Sequence, residues 1–226
     1  VSLPALSRSL KKKNFFKINK IQNLSLELSL LLSIPASLGL IIAHEEIINA
    51  LFGYGSFSEE NIKMTSQALK YFGYGIPAFA LVKIFSNFFF ARDNTKTPFY
   101  ISLLIVCINI SLSLIFFNQI GFIIIPIATS FSTWLGVLVY FIILNKYKFL
   151  NIAPYLIKNL FKIISCAILM SLVLIYGLNY FEENLVYHNK FKSIYLLFII
   201  GFVSTIYLIS CYLLDVLKIK NYKTNI

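Results

Sequence analysis

The strongest constraint in this chain is a long apolar run that recurs six times with only short polar breaks between. The runs are Leu28 to Ala43 (extended by an interfacial turn, His44 to Leu51), Ala68 to Phe90, Pro98 to Phe117, Ile120 to Leu144, Ile163 to Tyr180 and Ile194 to Leu214. Each holds about 16–25 residues, the length at which a helix rising about 1.5 Å per residue crosses a hydrocarbon core of about 30 Å. A transmembrane barrel needs strands that alternate apolar and polar positions, and stretches such as Ile101 to Val106 do not alternate. Charged residues make up 13% of the chain and hydrophobic ones 58%, against about 25% and 45–50% in soluble domains. The expected architecture is all-α: a polytopic membrane protein with six transmembrane helices.

Orientation follows from the basic residues. Of the 20 lysines and arginines, one side of the membrane receives Arg8, Lys11, Lys12, Lys13, Lys17 and Lys20, then Arg92, Lys96, Lys146, Lys148, Lys158, Lys162, Lys218, Lys220 and Lys223. The other side receives Lys63, Lys70, Lys190 and Lys192, diluted by Glu59, Glu60, Glu182 and Glu183. The positive-inside rule makes the first side cytoplasmic, with both ends of the chain on it. The net charge of +11 therefore points to anionic lipid headgroups and topology, not to nucleic acid, because the lysines sit between apolar runs and form no single face. The expected segments are a basic stretch over 1–27, four spans over 28–145, a basic loop over 146–162, a last pair of spans over 163–214 and a tail over 215–226.

Polar or helix-breaking residues inside the spans are the candidate functional positions. Pro35, Pro77 and Pro126 each delete a backbone hydrogen bond. The second span carries Gly73, Gly75 and Pro77 within five residues, which predicts a flexible or broken helix of the kind transporters bend, with plain helix packing as the simpler alternative. Lys83 is a basic residue well inside that span. It either lines a cavity or snorkels to the interface. Asn109 and Ser113 share one helix face, and Thr129 and Ser132 share another on the next span. They can form interhelical hydrogen bonds or offer neutral oxygens to a small cation.

Catalytic groupings are missing from the pattern. His44 and His188 stand alone, Glu182 and Glu183 are loop neighbours without acid–base geometry, and Gly53-Tyr54-Gly55 lacks the Lys-Ser/Thr of a phosphate loop. Cys107, Cys166 and Cys211 have no paired spacing that suggests disulfides or a metal site. The sequence predicts a non-enzyme with no cofactor of its own.

Several stretches taken together resemble the MurJ (MviN) lipid II flippases of the multidrug/oligosaccharidyl-lipid/polysaccharide exporter superfamily. They are Leu3-Pro4-Ala5-Leu6-Ser7-Arg8, Phe52-Gly53-Tyr54-Gly55-Ser56-Phe57, Met64-Thr65-Ser66-Gln67-Ala68-Leu69, Gly75-Ile76-Pro77-Ala78-Phe79 with Leu81-Val82-Lys83, and Ala91-Arg92-Asp93-Asn94-Thr95-Lys96-Thr97-Pro98. The resemblance is carried by their order and spacing, and it thins after Leu144. It implies the C-terminal part of a fourteen-helix transporter, helices nine to fourteen, whose last two helices border a groove for the undecaprenyl tail. The start at Val1 fits a piece of a longer protein. By the same resemblance, some members bind sodium with an Asn, an Asp four residues on and a Thr, which match Asn109, Ser113 and Thr129; Ser113 stands in place of the acid.

The function so implied is movement of lipid II across the bacterial inner membrane by alternating access. Lys83, Gly73, Gly75, Pro77 and Arg92 are the cavity or gating candidates, and the partners are membrane lipids and the transporter's N-terminal helices. The alternatives are a flippase for another undecaprenyl-diphosphate-linked glycan, of the O-antigen type, and a non-transporting membrane scaffold of cell-wall synthesis.

Overall fold

The structure, a computed structural model, describes residues 3–55 and 57–216. Its helices are α1 (Leu3–Lys11), α2 (Phe15–Ile42), α3 (His44–Phe52), α4 (Glu59–Phe90), α5 (Lys96–Ile120), α6 (Ile124–Lys146), α7 (Pro154–Tyr180) and α8 (Lys192–Leu213). Among the described residues, five stretches are long and apolar enough to cross a membrane. The third, Lys96–Lys146, is α5 and α6 folded back on each other at Gly121–Ile123. Most of the tail expected over 215–226, including Lys218, Lys220 and Lys223, lies outside the described residues.

The helices extend beyond the apolar runs read from the sequence. α2 begins at Phe15, so the boundary expected at residue 28 falls inside a helix; α7 begins at Pro154, inside the expected basic loop. The His44–Leu51 turn is the helix α3. The physical reason is that polar residues at these helix ends are satisfied by other elements, so the helix does not stop where hydrophobicity does. The expected break in α4 is absent as well: one helix of 32 residues runs through Gly73, Gly75 and Pro77.

Packing places the helices in a bent row, α5–α6–α4–α2–α7–α8, with α3 against α4 and α8 and with α1 against α2. Two apolar clusters fill it. One joins α2 to α7 and α8 through Leu31, Cys166, Ala167, Met170, Leu174, Ile199 and Val203. The other joins α1, α2, α4 and α6, where the buried Tyr140 ring lies 6.2 Å from Phe85 and 5.9 Å from Phe89.

At the lysine-rich end, α1, α4, α6 and α8 all stop in the same way. Lys13, Asp93, Lys148 and Asp215 take left-handed backbone (φ 51°, 56°, 54° and 58°), and the next residue's N–H bonds back to a carbonyl five residues earlier. The α6–α7 connection then crosses beneath α2 and is tied to it. Gln22 Nε2 donates to the Phe149 carbonyl at 2.9 Å, Asn23 Nδ2 to that of Asn151 at 2.8 Å, and Ala153 N–H donates to Asn23 Oδ1 at 2.9 Å. One turn on, Asn159 Nδ2 donates to the buried Glu27 carboxylate at 2.8 Å.

Asn23→Leu removes the buried amide that holds two backbone groups of the crossover, Asn151 O and Ala153 N–H. Thermal melting of the full-length protein in detergent is expected to show a loss of about 2 kcal/mol or more, whereas an exposed change such as Lys146→Ala leaves the melting curve where it was.

Candidate functional site

The two glycines of α4 have separate packing duties. A Cβ at Gly73 would meet Ile41 of α2 at 3.0 Å, and one at Gly75 would meet Ser130 Oγ of α6 at 2.6 Å. They bring α2 and α6 onto opposite flanks of α4. Three carbonyls at or near them are taken by side chains of those neighbours: Ser37 donates to Gly73 O at 2.7 Å, Ser130 to Tyr71 O at 2.7 Å and Trp134 Nε1 to Tyr74 O at 3.0 Å.

A third face of α4 is open. Lys83 shares it with Phe72, Ile76, Phe79 and Phe90, spaced by whole helical turns, and all but the half-buried Ile76 are exposed. Among the described residues no hydrogen bond or ion pair engages the Lys83 ammonium. It sits roughly 10 Å from the end of α4 at 1.5 Å per residue. Arg92, by contrast, is committed. It donates to Phe88 O at 2.6 Å and Phe149 O at 3.1 Å, and lies 4.2 Å over the Phe149 ring. Burial lowers its pKa.

Asn109 and Thr129 do meet across α5 and α6, with Asn109 Nδ2 donating to Thr129 Oγ1 at 2.8 Å. The Thr129 hydroxyl proton goes to Ile125 O at 2.7 Å, and Ser132 turns to its own helix at Thr129 O. Ser113 Oγ is buried and has no partner. The trio contributes no carboxylate, its amide presents N–H to the shared point, and hard cations favour anionic oxygen. These residues do not fit a sodium site of their own.

The acidic end holds features that sequence reading missed. Lys192, placed there with the loop lysines, is fully buried. Its ammonium donates to Asn49 Oδ1 at 3.0 Å, to Tyr187 O at 2.7 Å and to Gly53 O, and it sits 4.3 Å over the Tyr54 ring and 4.8 Å over that of Tyr187. No carboxylate is among these partners. The signal was the Gly53-Tyr54 pair, since a Cβ at Gly53 would collide with Asn49 and the ammonium. Beside this cage, Glu45, Glu46, Glu59, Glu60 and Glu182 line an open cavity of about 750 Å³ together with Lys63. One Glu46 oxygen is buried there without a partner, and desolvation raises its pKa.

With this geometry in view, the comparisons are consistent. The family model described as lipid II flippase MurJ matches residues 1–196. The chain belongs to the lipid II flippase MurJ family. A probable lipid II flippase MurJ of Rickettsia prowazekii is 32% identical over 82% of this chain and 36% of the relative. One of Thermotoga maritima is 35% identical over 70% and 32%, respectively. A solved MurJ structure, titled as an inward closed conformation, superposes with a TM-score of 0.72 at 28% identity over 95% of this chain and 42% of that one. The chain thus spans about a third of the curated relatives' length. The MurJ model also carries the family past Leu144, through α7 and into α8.

The stretches that resemble MurJ have structural work in the fold. Gly53-Tyr54 builds the Lys192 cage. Arg92-Asp93-Asn94 ends α4 and starts α5, where Asn94 Oδ1 accepts from Thr97 N–H at 3.1 Å and Pro98 takes a first-turn place that needs no N–H donor.

Two outcomes check this geometry. Gly75→Ala pushes the Ser130 hydroxyl off Tyr71 O and costs about 1–2 kcal/mol in detergent melts; the cost shrinks once Ser130→Ala is present. Glu46 has a raised folded-state pKa, so its contribution to stability is present at low pH and is lost as pH rises through that value. Glu46→Gln is expected to melt above the unsubstituted protein at neutral pH, with the gap closing toward about pH 4.3, the ordinary Glu value.

Proposed function

We propose that this chain is the C-terminal portion of a lipid II flippase. In that reading it forms one wall of a cavity through which the intact transporter moves an undecaprenyl-diphosphate-linked precursor across the inner membrane. The observation that carries the substrate class is Lys83, a membrane-depth ammonium on the open face of α4 with no hydrogen-bond or ion-pair partner among the described residues. An unpaired charge in hydrocarbon costs about 2.5–3.5 kcal/mol or more, and a diphosphate headgroup in a watery cavity removes that cost. Net ammonium–diphosphate attraction that differs between inward- and outward-open states is what lets such a cavity pass its cargo.

Both ends of the segment are assigned to the cytoplasm on the lysine count. α7 and α8 are assigned to the lipid tail, and α1–α6 are assigned to the contact with the transporter's other helices. The Arg92 guanidinium, bound to two carbonyls, serves in this reading as a fastener of α4 and not as a headgroup ligand.

The test uses the intact protein in cells depleted of their own lipid II flippase, reading growth and lipid II exposed outside. Wild type is expected to rescue. Lys83→Ala is expected to lower externally exposed lipid II at least tenfold at equal membrane abundance, and Lys83→Arg to keep most of it. Full activity of Lys83→Ala would assign that lysine to interfacial snorkelling, and absence of rescue by an inserted wild type would favour another glycan lipid or a scaffold.

A further inference from the structure

A proline inside a helix removes the N–H that would bond to the carbonyl four residues before it. In α2, Pro35 frees Leu31 O; in α4, Pro77 frees Gly73 O. Each freed carbonyl is met by a hydroxyl from another helix. Tyr207 of α8 donates to Leu31 O at 2.7 Å, and Ser37 of α2 donates to Gly73 O at 2.7 Å; both bonds are buried. Ser37 lies within a turn of Pro35, so the two bonds share one weak point of α2. Beyond α4 the series continues to α6 through Ser130 and Trp134 on the carbonyls flanking Gly73.

We infer that Tyr207 and Ser37 are positioning residues that hold two proline-weakened helices in their present course, and that α2 and α4 bend when these hydroxyls leave. α8 is thereby coupled to α2, and α2 to α4, through the two proline gaps, with α6 joined to α4 at the carbonyls beside Gly73, so a shift of the α7–α8 pair is felt at the Gly73–Pro77 segment. A hydroxyl is suited to the task. In hydrocarbon a free carbonyl cannot turn to water, so it stays capped until another donor replaces the first. A backbone N–H, fixed in its own helix, permits no such exchange. This inference rests on the alternating-access reading for its role in transport, and on the hydrogen bonds alone for its role in structure.

The experiment is a pair of double-variant cycles in the full-length protein, with melting in detergent and lipid II flipping in cells read separately. Pro77→Ala restores an N–H to Gly73 O, which makes the Ser37 hydroxyl redundant. Ser37→Ala is therefore expected to lower the melting temperature by several degrees in the parent and by little in Pro77→Ala. Tyr207→Phe is expected to behave likewise against Pro35→Ala. Equal losses in both backgrounds would overturn the capping claim. Pro77→Ala, which strengthens the helix, is expected to melt no lower than the parent and to flip at least tenfold more slowly. Undiminished flipping by Pro77→Ala would overturn the bending claim. If the unsubstituted protein does not flip lipid II at all, the flippase reading fails, while the melting cycles still decide the capping.

Discussion

Water does not reach the middle of a bilayer, so every backbone carbonyl there must find a donor within the protein. That rule explains why this lobe tolerates prolines in the interior of α2 and α4. The gaps are not healed by local adjustment of the helix itself. They are filled from outside, by Tyr207 and Ser37, and the glycines at 73 and 75 exist so that neighbours can come close enough to help. Packing and hydrogen bonding are therefore one problem in α4: a larger residue at 75 removes a contact and a donor together.

The two ends of the row solve a different problem, that of fastening helices far apart in sequence. At the lysine-rich end the solution uses neutral amides, the Arg92 guanidinium and the Lys162 ammonium on backbone carbonyls, with Phe149 O shared by Gln22 and Arg92. At the acidic end an ammonium caged by three oxygens and two aromatic rings is the centre of the fastening, with Asn49 Nδ2 on Leu185 O and Ser193 Oγ on Ala50 O beside it. Cation–ring attraction strengthens when both partners lose water, which is why a lysine without a carboxylate is stable there.

Much of the architecture was legible because hydrophobic length is a direct physical requirement of the bilayer, and the apolar runs gave each long helix its place. The helix ends were less legible. Gln22, Asn23 and Glu27 look like a polar lead-in to a span, and only the crossover at 149–153 and Asn159 show why they are buried. Glycine and proline in α4 suggested a break, yet the helix continues because the compensating donors sit on helices that are neighbours in space and not in sequence. Lys192 was hidden for the same reason, since nothing local distinguishes it from Lys190. The Asn109–Thr129 contact was readable from spacing, but the idle hydroxyl of Ser113 was not.

The tie between α2 and the crossover also has a history in time. Asn23 and Ala153 are 130 residues apart in the chain. At roughly 5–20 residues made per second, α2 waits on the order of ten seconds for its partner to be synthesised. Throughout that interval a helix bearing Gln22, Asn23 and Glu27 on one face has none of the crossover or α7 contacts that later cover them. That face needs shelter from the lipid until α7 arrives. A stretch chosen for the finished lobe is thus also a demand on how the lobe is born.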